Sequence, residues 1–434
     1  MSALTAYTRH RALRAVAPLH LGRVVELVGL HLLVTGLHAA VGDLVEIEGR
    51  SPVLAEVAAS GPRGLICLPM TSTSGLHVGA LVRHTGGPLQ IHVGDELRGR
   101  VLDGLGRPVD GGPSLAHLPR VAVENAAPPA LARPRIDHQI GLGVRALDAL
   151  VPCGRGQRIG IMAGSGVGKS SLLSMVARGT DAEVSVIALV GERGREVREF
   201  LDNDLGPEGL ARSVVVVSTS DAPPVERLRA AFVATRIAES FRDAGRHVVL
   251  MMDSLTRVAM AQREIGLSAG EPPATRGYPP SVFALLPRLL ERAGTSPEGS
   301  ITGLYTVLVE GDDLQDPVGD TARSILDGHV VLSRRLATSG HFPSIDVLDS
   351  ISRTTSAVTG PGQREDATSL RRMLAAHRDV RELVEIGAYV AGADPDADRA
   401  LALRTQIDDF LRQPMEESTP VTETWARLHE LVSR

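Results

Sequence analysis

The 434-residue chain contains a single lysine, Lys169, among 46 basic residues. This lysine lies in a glycine-rich segment, residues 163–170 with the sequence AGSGVGKS, which follows the apolar run 158–163 and precedes a helix-compatible run at 171–178. A strand, a glycine-rich loop and a helix that opens on Lys-Ser form the arrangement in which backbone amides surround a phosphate group. A compact ammonium also reaches between phosphates in a way that an arginine fork does not. The segment therefore predicts a phosphate-binding loop next to a parallel sheet.

Different residues of the loop are expected to contact different parts of a nucleoside triphosphate. Lys169 is expected to bridge the β- and γ-phosphates of ATP, and the hydroxyl of Ser170 is expected to ligate Mg²⁺. Ala163 stands where this loop usually begins with glycine, which is tolerable if its φ is negative. The residues predicted to contact the nucleotide are Gly164, Ser165, Gly166, Val167, Gly168, Lys169, Ser170 and Ser171.

Two carboxylates follow other apolar runs. Asp253 ends the run 247–252, and a carboxylate at the C-terminal end of a buried strand is well placed to hold Mg²⁺ through water. Glu192 follows the run 184–190 and is the candidate to orient and polarise the attacking water. The alternative is that Glu192 is a solvent-exposed charge at a strand end. That is the usual interpretation of a charged run such as 191–196 when nothing else accompanies it.

The pattern along the chain predicts a multidomain α/β protein. Short β-type runs punctuated by glycine predict a small barrel, apolar runs alternating with helical segments predict a mostly parallel sheet, and the strands stop near residue 361. The predicted divisions are a basic N-terminal segment (1–22), a β-barrel domain (23–90), a nucleotide-binding domain (91–360) and a C-terminal helical domain (361–434).

Composition argues against several classes of protein. The net charge is −5 and aromatic residues make up 3% of the chain, so it lacks the basic charge and stacking surfaces that nucleic-acid binding requires. We expect no nucleic-acid partner. The absence of an apolar run of about 18 residues predicts a protein without a transmembrane helix. The two cysteines, Cys67 and Cys153, are too few for a disulfide framework, which favours a reducing compartment such as the cytoplasm.

A resemblance to a known family rests on the loop 163–170, on residues 191–200 and on the long block 253–266 that continues through 270–283. These segments resemble the ATPase of bacterial flagellar protein export and its virulence-associated type III secretion relatives, which are similar to the catalytic β-subunit of rotary ATP synthases. The resemblance runs from about Gly22 to Gln413. It implies an N-terminal β-barrel, a central RecA-like P-loop domain with a parallel sheet, a helical C-terminal domain and assembly into a ring of six.

The resemblance also implies roles for individual residues. Glu192 would be the catalytic carboxylate, with Arg193 and Arg257 as its supporting cations. Phe342 matches the aromatic residue that stacks on adenine. Arg353 matches the arginine that is inserted into the neighbouring subunit's site, where it stabilises charge on the transferred phosphoryl group. Activity is therefore expected to need assembly.

The resulting prediction is an Mg²⁺-dependent ATP hydrolase of the flagellar type III export apparatus, which energises the unfolding or delivery of export substrates to a membrane export gate. The expected partners are further copies in a homohexamer, regulator and stalk proteins, export substrates and their chaperones. The expected location is the inner face of the cell membrane, as a peripheral protein.

Three alternatives remain at this point. Residues 300–305 and 40–45 look more flagellar than injectisome-like, but a virulence type III secretion ATPase is the second possibility. A hexameric RNA translocase on the same core would need a basic RNA surface, which the composition disfavours. A catalytically silent ring subunit would lack the water-orienting acid, and Glu192 argues against it.

Overall fold

The computed structural model describes residues 20–309 and 316–434. The described residues form two compact units, which divide between Leu89 and Gln90. Most of the basic segment predicted at 1–22 lies outside the described residues, and the boundaries of the predicted domains stay a prediction.

The first unit is a closed barrel of six antiparallel strands. Its strands are β1 (Leu21–Val28), β2 (His31–Thr35), β3 (Asp43–Ile47), β4 (Val53–Gly61), β5 (Gly64–Pro69) and β6 (Leu81–Pro88). They pair in the order β1-β2-β5-β4-β3-β6, and β6 closes onto β1. Alternate residues such as Leu32, Val34 and Val82 fill the interior, so the period of two required by a barrel is met. The predicted N-terminal barrel is confirmed.

The second unit is built on one large sheet. Its strands, with two short pairs beside the sheet, are β7 (Gln90–His92), β8 (Val101–Asp103), β9 (Arg120–Ala122), β10 (Gln139–Ile140), β11 (Cys153–Gly154), β12 (Arg158–Ala163), β13 (Val184–Glu192), β14 (Ser213–Thr219), β15 (His247–Asp253), β16 (Gly294–Thr295), β17 (Ser300–Leu308), β18 (Gly328–Leu332) and β19 (Ile345–Ser352). The sheet order is β19-β18-β12-β17-β15-β13-β14-β8, with β16 paired to β17. All neighbours from β18 to β8 are parallel, whereas β19 is antiparallel to β18.

Helices cover this sheet and then form a C-terminal helical region. The helices up to the last strand and its following turn are α1 (Arg145–Leu150), α2 (Lys169–Gly179), α3 (Gly194–Glu199), α4 (Gly206–Ala211), α5 (Pro224–Asp243), α6 (Leu255–Ser268), α7 (Pro280–Leu290), α8 (Pro317–Ile325), α9 (Arg334–Thr338) and α10 (Thr355–Val358). The C-terminal helices are α11 (Pro361–Glu385), α12 (Pro395–Ala402), α13 (Arg404–Leu411) and α14 (Val421–Val432). The α12 start is fixed by Asp394, whose side chain accepts hydrogen bonds from the amides of Asp396 and Ala397.

The central strands are buried along nearly their whole length because helices cover both faces. Strand β15 is buried from Val248 to Asp253, and β13 is buried from Val184 to Gly191. The sequence-based prediction of a central parallel α/β domain followed by helices is therefore confirmed. Within the described residues, no helix combines the length and the apolar character needed to cross a membrane.

A buried ion pair links three parts of the second unit: α5, the segment that follows α7 and the segment that follows β9. Arg292 donates from Nε and Nη2 to the carboxylate of Glu239 at 2.7 and 2.8 Å, and Asn125 donates to the same carboxylate at 2.8 Å. The two charged side chains are 2% and 0% exposed. Removing one charge would leave the other buried without its partner.

We therefore expect Glu239→Ala to lower the free energy of unfolding by about 3–5 kcal/mol. Urea unfolding followed by circular dichroism measures this change. The control is Glu96→Ala, because Glu96 is 62% exposed and forms an ion pair with His117 on the surface; its effect should stay below about 1 kcal/mol. Equal effects of the two substitutions would contradict the account of the buried pair.

Candidate active site

Parallel neighbours in the sheet bring the predicted residues to one edge. Strands β12, β17, β15 and β13 lie side by side and run in the same direction, so their C-terminal ends meet at one edge. Strand β12 leads into the glycine-rich loop, β15 ends on Asp253 and β13 ends on Glu192. Residues distant in sequence therefore meet there for a topological reason.

The glycine-rich loop has the conformation that an anion-binding loop needs. Gly166 and Gly168 have φ values of +73° and +87°, in the left-handed region that favours glycine. Ala163 is the buried last residue of β12 and is not among the residues with positive φ, so its methyl group is tolerated there. The hydroxyl of Ser344 donates a hydrogen bond to the Val167 carbonyl at 2.6 Å and so fixes the backbone of the loop.

Lys169 bridges the two predicted carboxylates. Its ammonium nitrogen lies 2.5 Å from Oδ1 of Asp253 and 3.4 Å from Oε1 of Glu192. The three side chains are 13%, 4% and 16% exposed, so this contact is largely shielded from water. The sole lysine of the chain thus lies at the centre of the cluster, as its position in the loop predicts.

Burial and charge set the protonation of this cluster. Burial alone would lower the pKa of Lys169, but Asp253 and Glu192 hold it above its ordinary value. Burial raises the pKa of Glu192, Lys169 opposes that rise, and the charge of Asp253 adds to it. The raised pKa makes Glu192 a better proton acceptor than an ordinary surface glutamate.

A buried threonine that the sequence reasoning missed orients Asp253. The hydroxyl of Thr306, on β17 between β12 and β15, donates to Oδ1 of Asp253 at 2.8 Å. Thr306 is fully buried. Thr306 is one of several hydroxyl-bearing residues of β17, so nothing local distinguishes it, and its partner depends on the strand order.

The two predicted supporting arginines differ in their surroundings. The side chain of Arg257 packs against Gly191, and a methyl group built on Gly191 would lie 3.0 Å from Cβ of Arg257. Its Nε is buried without a hydrogen-bond partner among the described residues. Arg193 is 78% exposed and pairs with Glu196 at 3.2 Å. The structure therefore brings Arg257 next to the cluster and leaves Arg193 on the surface.

Phe342 lies beside the loop. A methyl group built on Gly168 would be 3.4 Å from two carbons of the Phe342 ring, and the side chain is partly exposed. The backbone carbonyl of Phe342 accepts a hydrogen bond from the backbone amide of Gln413 at 3.0 Å. The ring thus presents an open apolar face beside the loop, which suits a planar base. Like Thr306, Gln413 is a residue that the sequence analysis did not connect with this site.

Arg353 lies at the opposite end of the sheet, where the parallel strands begin. It follows β19, which is antiparallel to β18, and its amide donates to the Asp327 carbonyl at 2.9 Å. The Asp327 amide in turn donates to the carbonyl of Arg158, the first residue of β12. The length of β12, about 16 Å, therefore separates Arg353 from the loop of its own chain. Arg353 is exposed and does not reach the loop of its own chain.

The groups present fit a magnesium ion that is shared with a phosphorylated ligand. The described residues contain no group of three or more histidine, cysteine or acidic side chains able to hold a metal alone. Ser170 is exposed in the first turn of α2, and Asp253 ends the adjacent strand β15. One hydroxyl and one carboxylate form the small oxygen donor set that Mg²⁺ uses together with phosphates and water.

Known families match most of the second unit. Residues 143–352 match the ATP synthase alpha/beta family, nucleotide-binding domain, and residues 359–430 match the T3SS EscN ATPase C-terminal domain. The flagellum-specific ATP synthase of Bacillus subtilis is 48% identical over 414 residues, which cover 94% of each chain. The type 3 secretion system ATPase of Xanthomonas euvesicatoria is 49% identical over 406 residues, which cover 93% of this chain and 92% of that protein.

A solved structure agrees with this assignment over most of the chain. The assembled ATPase EscN of enteropathogenic Escherichia coli, in complex with its central stalk EscO, matches with a TM-score of 0.89 and 44% identity, covering 95% of this chain and 100% of that one. With the loop, the two carboxylates and the parallel sheet in place, the chain is an ATPase that belongs to the family of flagellum-specific ATP synthases and type III secretion ATPases.

Proposed function

We propose that this chain hydrolyses Mg²⁺-ATP in the flagellar type III export apparatus and so energises the unfolding or delivery of export substrates to the membrane export gate. The observation that carries the hydrolytic part is the bridge from Lys169 to Asp253 and Glu192 at the C-terminal edge of the sheet. The family membership supports ATP as the nucleotide.

The binding step follows from competition for Lys169. Phosphate oxygens that enter the loop would receive hydrogen bonds from its amides, and they would draw the ammonium of Lys169 from the carboxylates toward the β- and γ-phosphates. Ser170 and Asp253 would then hold Mg²⁺, which offsets negative charge on the phosphates when it is bound. Phe342 would stack on the adenine ring.

The chemical step assigns Glu192 to the attacking water. Once Lys169 has moved to the phosphates, the Glu192 carboxylate is free to orient the water and accept its proton as the oxygen bonds to the γ-phosphorus and the bond to ADP breaks. The unpartnered Nε of Arg257 supports a role for this cation beside Glu192. Arg193 would have to leave Glu196 to take part.

Assembly completes the site in this proposal. The separation of Arg353 from the loop of its own chain supports its insertion into a neighbouring subunit's site. The likeness to an assembled relative with a central stalk supports a ring, for which we propose a homohexamer that binds a stalk protein. Regulator proteins, export substrates and their chaperones are the further partners proposed, and the ring would lie at the inner face of the membrane by peripheral association.

The choice of the flagellar apparatus rests on sequence detail. Identities of 48% and 49% to flagellar and virulence ATPases are almost equal, so overall similarity does not separate the two systems. Residues 300–305 and 40–45, in β17 and at the start of β3, look more flagellar. The injectisome ATPase is the second candidate.

We expect Glu192→Gln to lower kcat by about 10²-fold or more, because an amide cannot accept the proton of the attacking water. The affinity for ATP should change little, since the amide keeps the size and polarity of the side chain. Steady-state phosphate release and equilibrium ATP binding measure the two effects. The matched control is Glu199→Gln, an exposed glutamate paired with Arg195 on the same segment. An unchanged turnover in Glu192→Gln would remove the assigned role.

The flagellar assignment predicts a specific loss in the bacterium that carries this gene. Deleting the gene should abolish filament assembly, and the wild-type chain should restore it whereas Glu192→Gln should not. Electron microscopy counts filaments, and secretion assays follow effector proteins in the same strains. Normal filaments combined with lost effector secretion would replace the flagellar assignment with the injectisome one.

A further inference from the structure

A buried network fixes the C-terminal segment 409–419 next to the proposed base site. The guanidinium of Arg145, at the start of α1, donates to the carbonyls of Phe410 and Arg412 at 3.0 and 2.5 Å and to the Thr419 hydroxyl at 3.0 Å. Arg145 is only 3% exposed and also forms an ion pair with Glu417. All these partners lie within one short stretch of chain, so Arg145 holds that stretch as a unit.

Gln413 links this stretch to Phe342. Its side chain accepts from the Arg145 amide at 2.9 Å and donates to the carbonyls of Gly143 and Glu417 at 2.7 and 2.8 Å. The side chain is thus bonded at both ends and the residue is 3% exposed. Its own backbone amide donates to the Phe342 carbonyl at 3.0 Å. The position of the Phe342 backbone therefore depends on where the Gln413 side chain fixes the segment.

The same segment contacts the helix that begins with Lys169. Arg178, in the last turn of α2, donates to the Met415 carbonyl. Gly143 approaches Gly179 so closely that a methyl group on it would lie 2.7 Å from the Gly179 Cα. The segment is therefore attached to α2 at the end of that helix remote from Lys169.

We propose that Gln413 is a positioning residue for the nucleotide base: it holds the Phe342 ring at the distance from Gly168 that a stacked adenine requires. This inference rests on the proposed stacking of adenine on Phe342. Gln413 does not touch the nucleotide in this proposal and acts through the Phe342 backbone. The C-terminal helical region would thereby set base affinity without altering phosphate binding.

The test uses Gln413→Met, which keeps the side-chain length and removes its hydrogen bonds. Its matched control is Gln363→Met, since Gln363 also accepts a hydrogen bond from a backbone amide, that of Gly360 at 2.7 Å, but forms no hydrogen bond with segment 409–419 among the described residues. Equilibrium dissociation constants are measured for Mg²⁺-ATP and for inorganic tripolyphosphate, which has no base. Circular dichroism melting confirms that each variant is folded.

We expect Gln413→Met to weaken ATP binding about 3- to 10-fold, to leave tripolyphosphate binding within about 2-fold, and to raise KM more than it lowers kcat. Gln363→Met should change none of these quantities. Gln413→Met combined with Phe342→Ala should bind ATP no more weakly than Phe342→Ala alone, because both substitutions remove the same contact.

Two results would overturn the inference, and they differ from failure of the proposed function. Equal weakening of ATP and tripolyphosphate binding would mean that Gln413 only stabilises the fold around the loop. Additive losses in the double variant would mean that Gln413 acts independently of Phe342. If the wild-type chain bound neither ligand, or if Phe342→Ala left ATP affinity unchanged, the proposed nucleotide site itself would fail.

Discussion

The contact of one ammonium with two buried carboxylates is the interaction on which the site depends. Lys169, Asp253 and Glu192 come from three different elements, and each would be costly to bury without an opposite charge. Together they hold the ends of β13 and β15 against the start of α2. In the proposed mechanism, phosphate oxygens replace the carboxylates as partners of Lys169, and Glu192 is then released for proton transfer.

The strand order gives this contact its geometry and also divides the proposed site between subunits. Because β17 lies between β12 and β15, Thr306 lies where it can hold Asp253 opposite Lys169. Because β19 is antiparallel to β18, Arg353, which follows β19, lies at the end of the sheet opposite the loop. In the proposed assembly, this topology places the phosphate-binding loop, Asp253 and Glu192 at one end of the sheet and Arg353 at the other, where it would face a neighbouring subunit.

The sequence predicted the parts of this arrangement that depend on local pattern. The barrel, the apolar runs 158–163, 184–190 and 247–252 of the parallel sheet and the loop around Lys169 all carry strong local signals of glycine spacing or continuous apolar sequence. The short strand β8 carries no such signal, because its three residues are too few to show a period and its strand character comes from pairing with β14. Thr306 and Gln413 gave no local signal either, since their contacts exist only after distant elements pack.

The central claim, that each site is completed by Arg353 of a neighbour, is tested most directly by mixing two inactive variants. Lys169→Ala lacks the phosphate-binding ammonium and Arg353→Ala lacks the inserted arginine, so each alone should hydrolyse ATP very slowly. Equimolar co-assembly should restore up to about one quarter of the wild-type rate per subunit, because random neighbours then pair an intact loop with an intact arginine. No recovery in assemblies shown by native mass spectrometry to contain both variants would contradict the claim.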